Sequence, residues 1–110
     1  MAPTGERRRR ARMALHCPVR LARIGDVRTV ESRTENLSSQ GFYCVSDEAF
    51  APGDRLECVL ALPGAVFGYG ESPFRLHCRA RVMRVEQRQP ESGFGLACRI
   101  EHFTLFPRSD

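Results

Sequence analysis

The chain is 110 residues long, with 42% hydrophobic and 27% charged residues and a formal net charge of +4, proportions that fit one globular domain with a single modest core. Its longest apolar run, Val59-Leu60-Ala61-Leu62, is far short of the roughly 20 residues a membrane-crossing helix needs. The arginines near the N-terminus lead into a charge-interrupted segment rather than the apolar stretch of an export signal, so no membrane insertion and a cytoplasmic location are expected.

The charge is concentrated at one end. Residues 1–12 contain five of the 17 basic residues and one acid, Glu6, so the whole formal excess lies in that segment and the remainder balances. Every basic residue is an arginine, the side chain suited to forked hydrogen bonds and flat stacking. With five arginines and no apolar run to dock it, the segment is expected to be a flexible arm.

A period of two begins at Met13. Met13, Leu15, Cys17, Val19 and Leu21 alternate with Ala14, His16, Pro18, Arg20 and Ala22, which predicts a first strand, with Pro18 at an edge or bulge because it lacks a backbone donor. Gly25-Asp26 predicts a hairpin turn into a second, polar strand from Val27 to about Thr34. The polar stretch Asn36 to Gly41 follows, then a short third strand from Phe42 to Ser46.

Pro52-Gly53-Asp54 is a turn signal, and Leu56, Cys58, Leu60 and Leu62 follow at period two as a fourth strand. Pro63 to Pro73, with three glycines, reads as a long hairpin connection. Its glycines lack the spacing and the Lys-Ser/Thr ending of a phosphate-binding loop. The fifth strand starts at Phe74, with Leu76, Cys78, Ala80 and Val82 on one face. The apolar phase then moves to Met83 and Val85, which predicts a β-bulge. Gly93-Phe94-Gly95 opens a sixth strand carrying Leu96, Cys98 and Ile100, and little or no C-terminal helix is expected after Glu101.

Six short strands without a long amphipathic helix predict an all-β fold, a six-stranded antiparallel β-barrel, since closure removes edges that so small a sheet could not protect. The expected organisation is an arm over 1–12, a barrel over 13–103 and a short tail over 104–110.

The five cysteines, Cys17, Cys44, Cys58, Cys78 and Cys98, form no Cys-x-x-Cys pair and are odd in number, which favours a reducing compartment. Each sits beside apolar residues, where a thiol packs as a small hydrophobe. In His16-Cys17 and His77-Cys78, neighbours on a strand point to opposite faces, so neither pair chelates one ion. No metal and no cofactor are expected. Three scattered histidines and the lack of any nucleophile motif or acid pair argue for a non-enzymatic protein.

Two features carry the chemistry: Arg8-Arg9-Arg10-Ala11-Arg12 directly before the first strand, and Asn36-Leu37-Ser38-Ser39-Gln40-Gly41 directly after the second. If those strands form a hairpin, both features meet at one end of the barrel. Arg-x-x-x-Arg recurs at Arg75/Arg79 and Arg84/Arg88, which read as solvated strand faces. Only Arg8/Arg12 is followed one hairpin later by Asn-x-Ser-x-x-Gly. In this pairing, and in the closing Gly-Phe-Gly-Leu-Ala-Cys-Arg-Ile strand, the sequence resembles the PilZ domain family over nearly the whole chain. The resemblance implies a receptor for cyclic di-GMP in which Arg8 and Arg12 hold guanine edges and phosphates. It further implies that Asn36 bonds a guanine, Ser38 donates its hydroxyl nearby, and Gly41 supplies a positive-φ turn or a close backbone approach. The family often has Asp where this chain has Asn36. Arg7, just before the motif, resembles the arrangement that holds a stacked ligand dimer. Arg9 and Arg10 read as phosphate-side helpers or solvated charge.

Without a catalytic group, such a domain is expected to signal by ordering its arm and presenting an altered surface to an unidentified protein partner. Two rival readings are a degenerate adaptor of the same family that ignores nucleotide, and a non-specific nucleic-acid binder using the basic arm. The neutral body, with no aromatic strand platform for bases, argues against nucleic acid, and both intact motifs argue against the degenerate adaptor.

Overall fold

The computed structural model describes residues 14–63, 74–88 and 93–107. Among these, all regular structure is strand: β1 (Pro18–Arg23), β2 (Val30–Leu37), β3 (Gly41–Ser46), β4 (Arg55–Leu62), β5 (Phe74–Gln87) and β6 (Phe94–Pro107). They close into a barrel in the order β1-β2-β3-β6-β5-β4, and every pairing is antiparallel. The expected architecture is therefore present.

The period-two residues fill the barrel. Leu21, Phe42, Cys44, Leu56, Leu60 and Leu96 are fully buried, with Val19, Cys58, Ala80 and Val82 nearly so. All five cysteines are buried and unbridged. The Cys58 and Cys98 thiols are pushed well above their ordinary range, each first by a hydrogen bond with a neighbouring thiol, Cys78 and Cys44, and then by burial. They pack as protonated, inert groups. His77 is exposed while Cys78 is buried, the opposite-face arrangement that alternation dictates.

Several boundaries depart from the sequence reading. β2 begins at Val30 and runs on to Leu37, because Asp26 draws its neighbours into a wider turn. The Asp26 carboxylate accepts the Arg28 N–H at 3.0 Å, and Gly25 takes a φ of 91°. Pro18 lies at no edge, since β1 is flanked by β2 and β4. It is the first residue of its strand, a position where a missing donor costs little.

β6 continues to Pro107 rather than ending in a tail from 104, because the first half of β5 needs a partner on its second side: Phe74 to Arg79 pair with Pro107 to His102. The expected bulge after Val82 is present, with Met83 as the extra residue in β5. A second bulge makes Glu101 the extra residue in β6. The Pro63 to Pro73 connection lies, beyond Pro63 itself, outside the described residues, as does the 1–12 arm.

The barrel end away from the Asn36 to Gly41 turn is closed by Phe50, whose ring carries the Arg23 guanidinium at 4.4 Å. Arg23 is held in turn by Asp54 at 3.2 Å and the Ala49 carbonyl at 2.8 Å. Chain entry at the other end depends on one buried polar side chain. The Thr34 hydroxyl accepts the Cys17 N–H at 2.9 Å and donates to the Leu15 carbonyl at 2.5 Å, while the Thr34 N–H donates to the Cys17 carbonyl at 2.8 Å. These bonds fasten residues 15–17 to β2 before regular pairing begins.

Thr34→Val keeps the shape but leaves the buried Cys17 N–H without an acceptor, so it should cost about 1–3 kcal/mol of stability in urea unfolding. A variant as stable as the parent would show that residues 15–17 are not fastened by this side chain.

Candidate functional site

Neighbouring residues on a regular strand face opposite ways, so Thr34, Glu35, Asn36 and Leu37 would by simple alternation put Thr34 and Asn36 on one face. The register shift between Thr34 and Asn36 changes this. Thr34 pairs with Cys44 and Asn36 with Tyr43, leaving Glu35 as the extra residue. Thr34 and Leu37 are both buried while Asn36 is half-buried, so the bulge re-phases the strand and places Asn36 on the outer face beside Tyr43. Glu35 is anchored across the surface by Arg88 at 3.3 Å.

The turn that follows is tied internally. The Ser38 N–H donates to the Gly41 carbonyl at 2.9 Å, and the Gly41 N–H returns to the Ser38 carbonyl at 3.3 Å. The Ser38 hydroxyl accepts the Gln40 N–H at 3.1 Å and reaches the Gly41 carbonyl only at 3.5 Å. Ser38 thus shapes the turn, and its hydroxyl proton is only weakly engaged. The Gln40 carbonyl accepts the Ile100 N–H at 2.8 Å, docking the turn on β6.

Gly41 is required for space, not for φ. Among the described residues, the glycines with positive φ are Gly25, Gly53 and Gly93. A Cβ on Gly41 would overlap the Cys98 carbonyl oxygen, so of the two roles expected for Gly41 the close backbone approach applies.

The side of the site is fixed by Tyr43, which the sequence reading passed over. Its ring lies across Gly95, where a Cβ would overlap the phenol, and its hydroxyl donates to Glu86 at 2.8 Å. That hydrogen bond, followed by the one from Arg84, holds the Glu86 carboxyl below its ordinary range. Burial, and then the bond to Glu86, pushes the Tyr43 phenol up. The signal in the sequence was Gly95 itself, a small residue interrupting a strand.

Asn36, Ser38 and Gly41 are therefore gathered at one end of the barrel's outer surface. Antiparallel pairing of β1 with β2 brings residues 15–17 against Thr34, two positions before Asn36. The hairpin geometry expected to unite the two motifs is present as far as residue 14. Arg7, Arg8 and Arg12 lie outside the described residues. Of the arginines read as solvated strand faces, Arg75, Arg79 and Arg84 are exposed on β5, with Arg84 paired to Glu86 at 3.0 Å, whereas Arg88 lies just beyond β5, half-buried and paired with Glu35. A further arginine, Arg99, was not singled out by sequence and is the cross-strand partner of Gly41. Only the β3/β6 register brings it there.

Among the described residues, no helix is long and apolar enough to cross a membrane. The chain matches a family model described as PilZ domain over residues 6–104. Among solved structures it is similar to the inhibitor of motility of Bacillus subtilis, MotI/DgrA, with a TM-score of 0.70 and 16% sequence identity over 84% of this chain. It spans 42% of that protein's chain, and at this identity the likeness bears on the fold alone. No curated protein matches the sequence.

Gly41→Ala should destabilise the protein by about 1–3 kcal/mol, the usual cost of forcing an atom into filled space, because the Cys98 carbonyl it meets is backbone and cannot swing away. Thermal unfolding measures this; an unchanged midpoint would mean that β3 and β6 do not approach as described.

Proposed function

This chain belongs to the PilZ domain family, and from that premise we propose that it is a non-enzymatic receptor for cyclic di-GMP, which it holds between the 1–12 arm and the Asn36 to Gly41 turn. The family is one of binding and adaptor domains rather than enzymes. The observation that carries the reading is the placement of Asn36, Ser38 and Gly41 on one outer face, directly beside the point where the chain enters from residues 1–13.

Each element has a physical role. Arg8 and Arg12 can make paired hydrogen bonds to the O6/N7 edge of guanine and to phosphate oxygens. Asn36 offers an amide to a guanine edge, keeping the acceptor oxygen of the more usual Asp without its charge. Ser38 offers a weakly engaged hydroxyl proton, and the bare backbone at Gly41 allows close approach. Arg7 adds a guanidinium face for a second, stacked nucleotide, giving two per chain.

The chain's output is then the ordered arm. A ligand shifts an equilibrium only by its difference in affinity between two states. With its arginines on the arm, that difference lies between arm-docked and arm-free states. The surface so formed would be read by a protein partner.

Isothermal titration of the folded protein with cyclic di-GMP tests the reading. Arg8→Ala and Arg12→Ala should each weaken binding by about 1–3 kcal/mol, the scale of a lost bidentate guanine contact, while Arg75→Ala changes little. Wild-type-like affinity in both arm variants would remove them from the site. Arg7→Leu should move the stoichiometry from two towards one, and a wild-type ratio of one would reject the stacked pair.

Deleting residues 1–12 should abolish binding while leaving the β-sheet circular dichroism intact. In the full chain, ligand should slow amide exchange over residues 2–12. Exchange that ligand leaves unchanged would sink the arm-ordering step.

A further inference from the structure

The registers of three strand pairs place arginines in a single row. Arg55 on β4 pairs with Arg81 on β5, Arg81 pairs with Arg99 on β6, and Arg99 pairs with Gly41 on β3. Cross-strand partners share a face. Their neighbours Leu56, Ala80, Val82 and Cys98 are buried, so the row faces outward. Three like charges side by side cost stability rather than add it.

Neutralisation along the row is uneven. Glu101, the bulge residue of β6, takes Arg81 at 3.0 Å but reaches Arg99 only at 4.0 Å, with its Oε2 facing both. Among the described residues, no carboxylate forms an ion pair with Arg55. Arg99 is 57% exposed in its side chain and stands one strand spacing, about 4.8 Å, from the backbone of Gly41. Gly41 has no side chain to screen it. The turn itself supplies amide, hydroxyl and backbone groups but no cation.

We propose that Arg99 is a further ligand contact of this site, a cation supplied by the barrel itself, and that it binds a phosphate of the cyclic dinucleotide. This rests on the cyclic di-GMP reading above. A phosphate beside Arg99 relieves the like-charge contact with Arg81, and Glu101 competes with it for the same guanidinium. Arg55 stands about 10 Å further along the row, two strand spacings away, too far for direct contact.

Titration of the full-length chain with cyclic di-GMP tests the assignment. Arg99→Ala should weaken binding roughly tenfold or more, on the scale of a lost charged fork contact, and Arg99→Lys should recover most of the loss because it retains the charge. Glu101→Gln, which frees Arg99, should tighten binding several-fold, and Arg55→Ala should stay within twofold of the parent.

The melting temperature of ligand-free Arg99→Ala should not fall, since a residue is leaving a like-charge row; this separates a binding role from a structural one. If the parent binds and Arg99→Ala binds equally well, or Glu101→Gln weakens binding, the assignment of Arg99 is overturned and the receptor reading stands. If the parent does not bind cyclic di-GMP, the receptor reading fails and the assignment with it.

Discussion

The geometry of the site depends on one extra residue in β2. Glu35 lets two residues oppose one on β3, and the resulting change of phase turns Leu37 into the core and Asn36 outward. Without that shift the alternation set by the buried Thr34 would carry Asn36 towards the barrel interior, where an amide needs partners for all its polar atoms. The same strand segment holds the entering chain through Thr34. Residues 15–17 and the Asn36 to Gly41 turn are thus referenced to a single piece of backbone.

Close backbone approach completes the arrangement. Gly41 lies so near Cys98 that only a hydrogen fits, and the Gln40 carbonyl takes the Ile100 N–H. β6 therefore forms the floor beside the turn. Gly95, further along β6 and opposite Val45, likewise leaves space, which the Tyr43 ring takes. Two glycines on neighbouring strands thus remove the side chains that would otherwise stand between the turn, Tyr43 and the outer face of β6. On the surface so uncovered, Arg81, Arg84 and Arg88 are each paired with a carboxylate, Glu101, Glu86 and Glu35, while Arg99 is held only at 4.0 Å.

The sequence carried the strand count, the barrel and the residues of the turn, because period-two burial and Gly/Pro/Asn turns are local signals. Leu56, Cys58, Leu60 and Leu62 alternate in the sequence and are buried in the structure. The β5 bulge was legible for the same reason, as Met83 breaks the alternation.

Long-range register was not legible. The length of β6 is set by what β5 requires on its free side, and a segment containing Phe103, Phe106 and Pro107 has no period of its own that announces a strand. The Glu35 bulge was hidden because β2 is largely polar, so a phase change leaves no apolar trace. Arg99 escaped notice for a related reason: seventeen arginines look alike in one dimension, and only pairing with Gly41 distinguishes this one.

These constraints bear on how such a domain could carry a signal. The barrel is a closed sheet around a core of fully buried aliphatic, aromatic and thiol side chains, and packed interiors of this kind resist continuous deformation. Its turn is tied internally, tied to β6, and fixed in phase by a bulge. A ligand seated on that surface finds the contacts already formed, so little of its binding energy goes into rearranging the sheet. Under the proposed reading, that energy is instead available to order the N-terminal segment. In such an arrangement the rigidity of the barrel works in favour of transmission: the less the sheet yields, the more of the ligand's affinity appears as a change in the segment that enters beside Thr34.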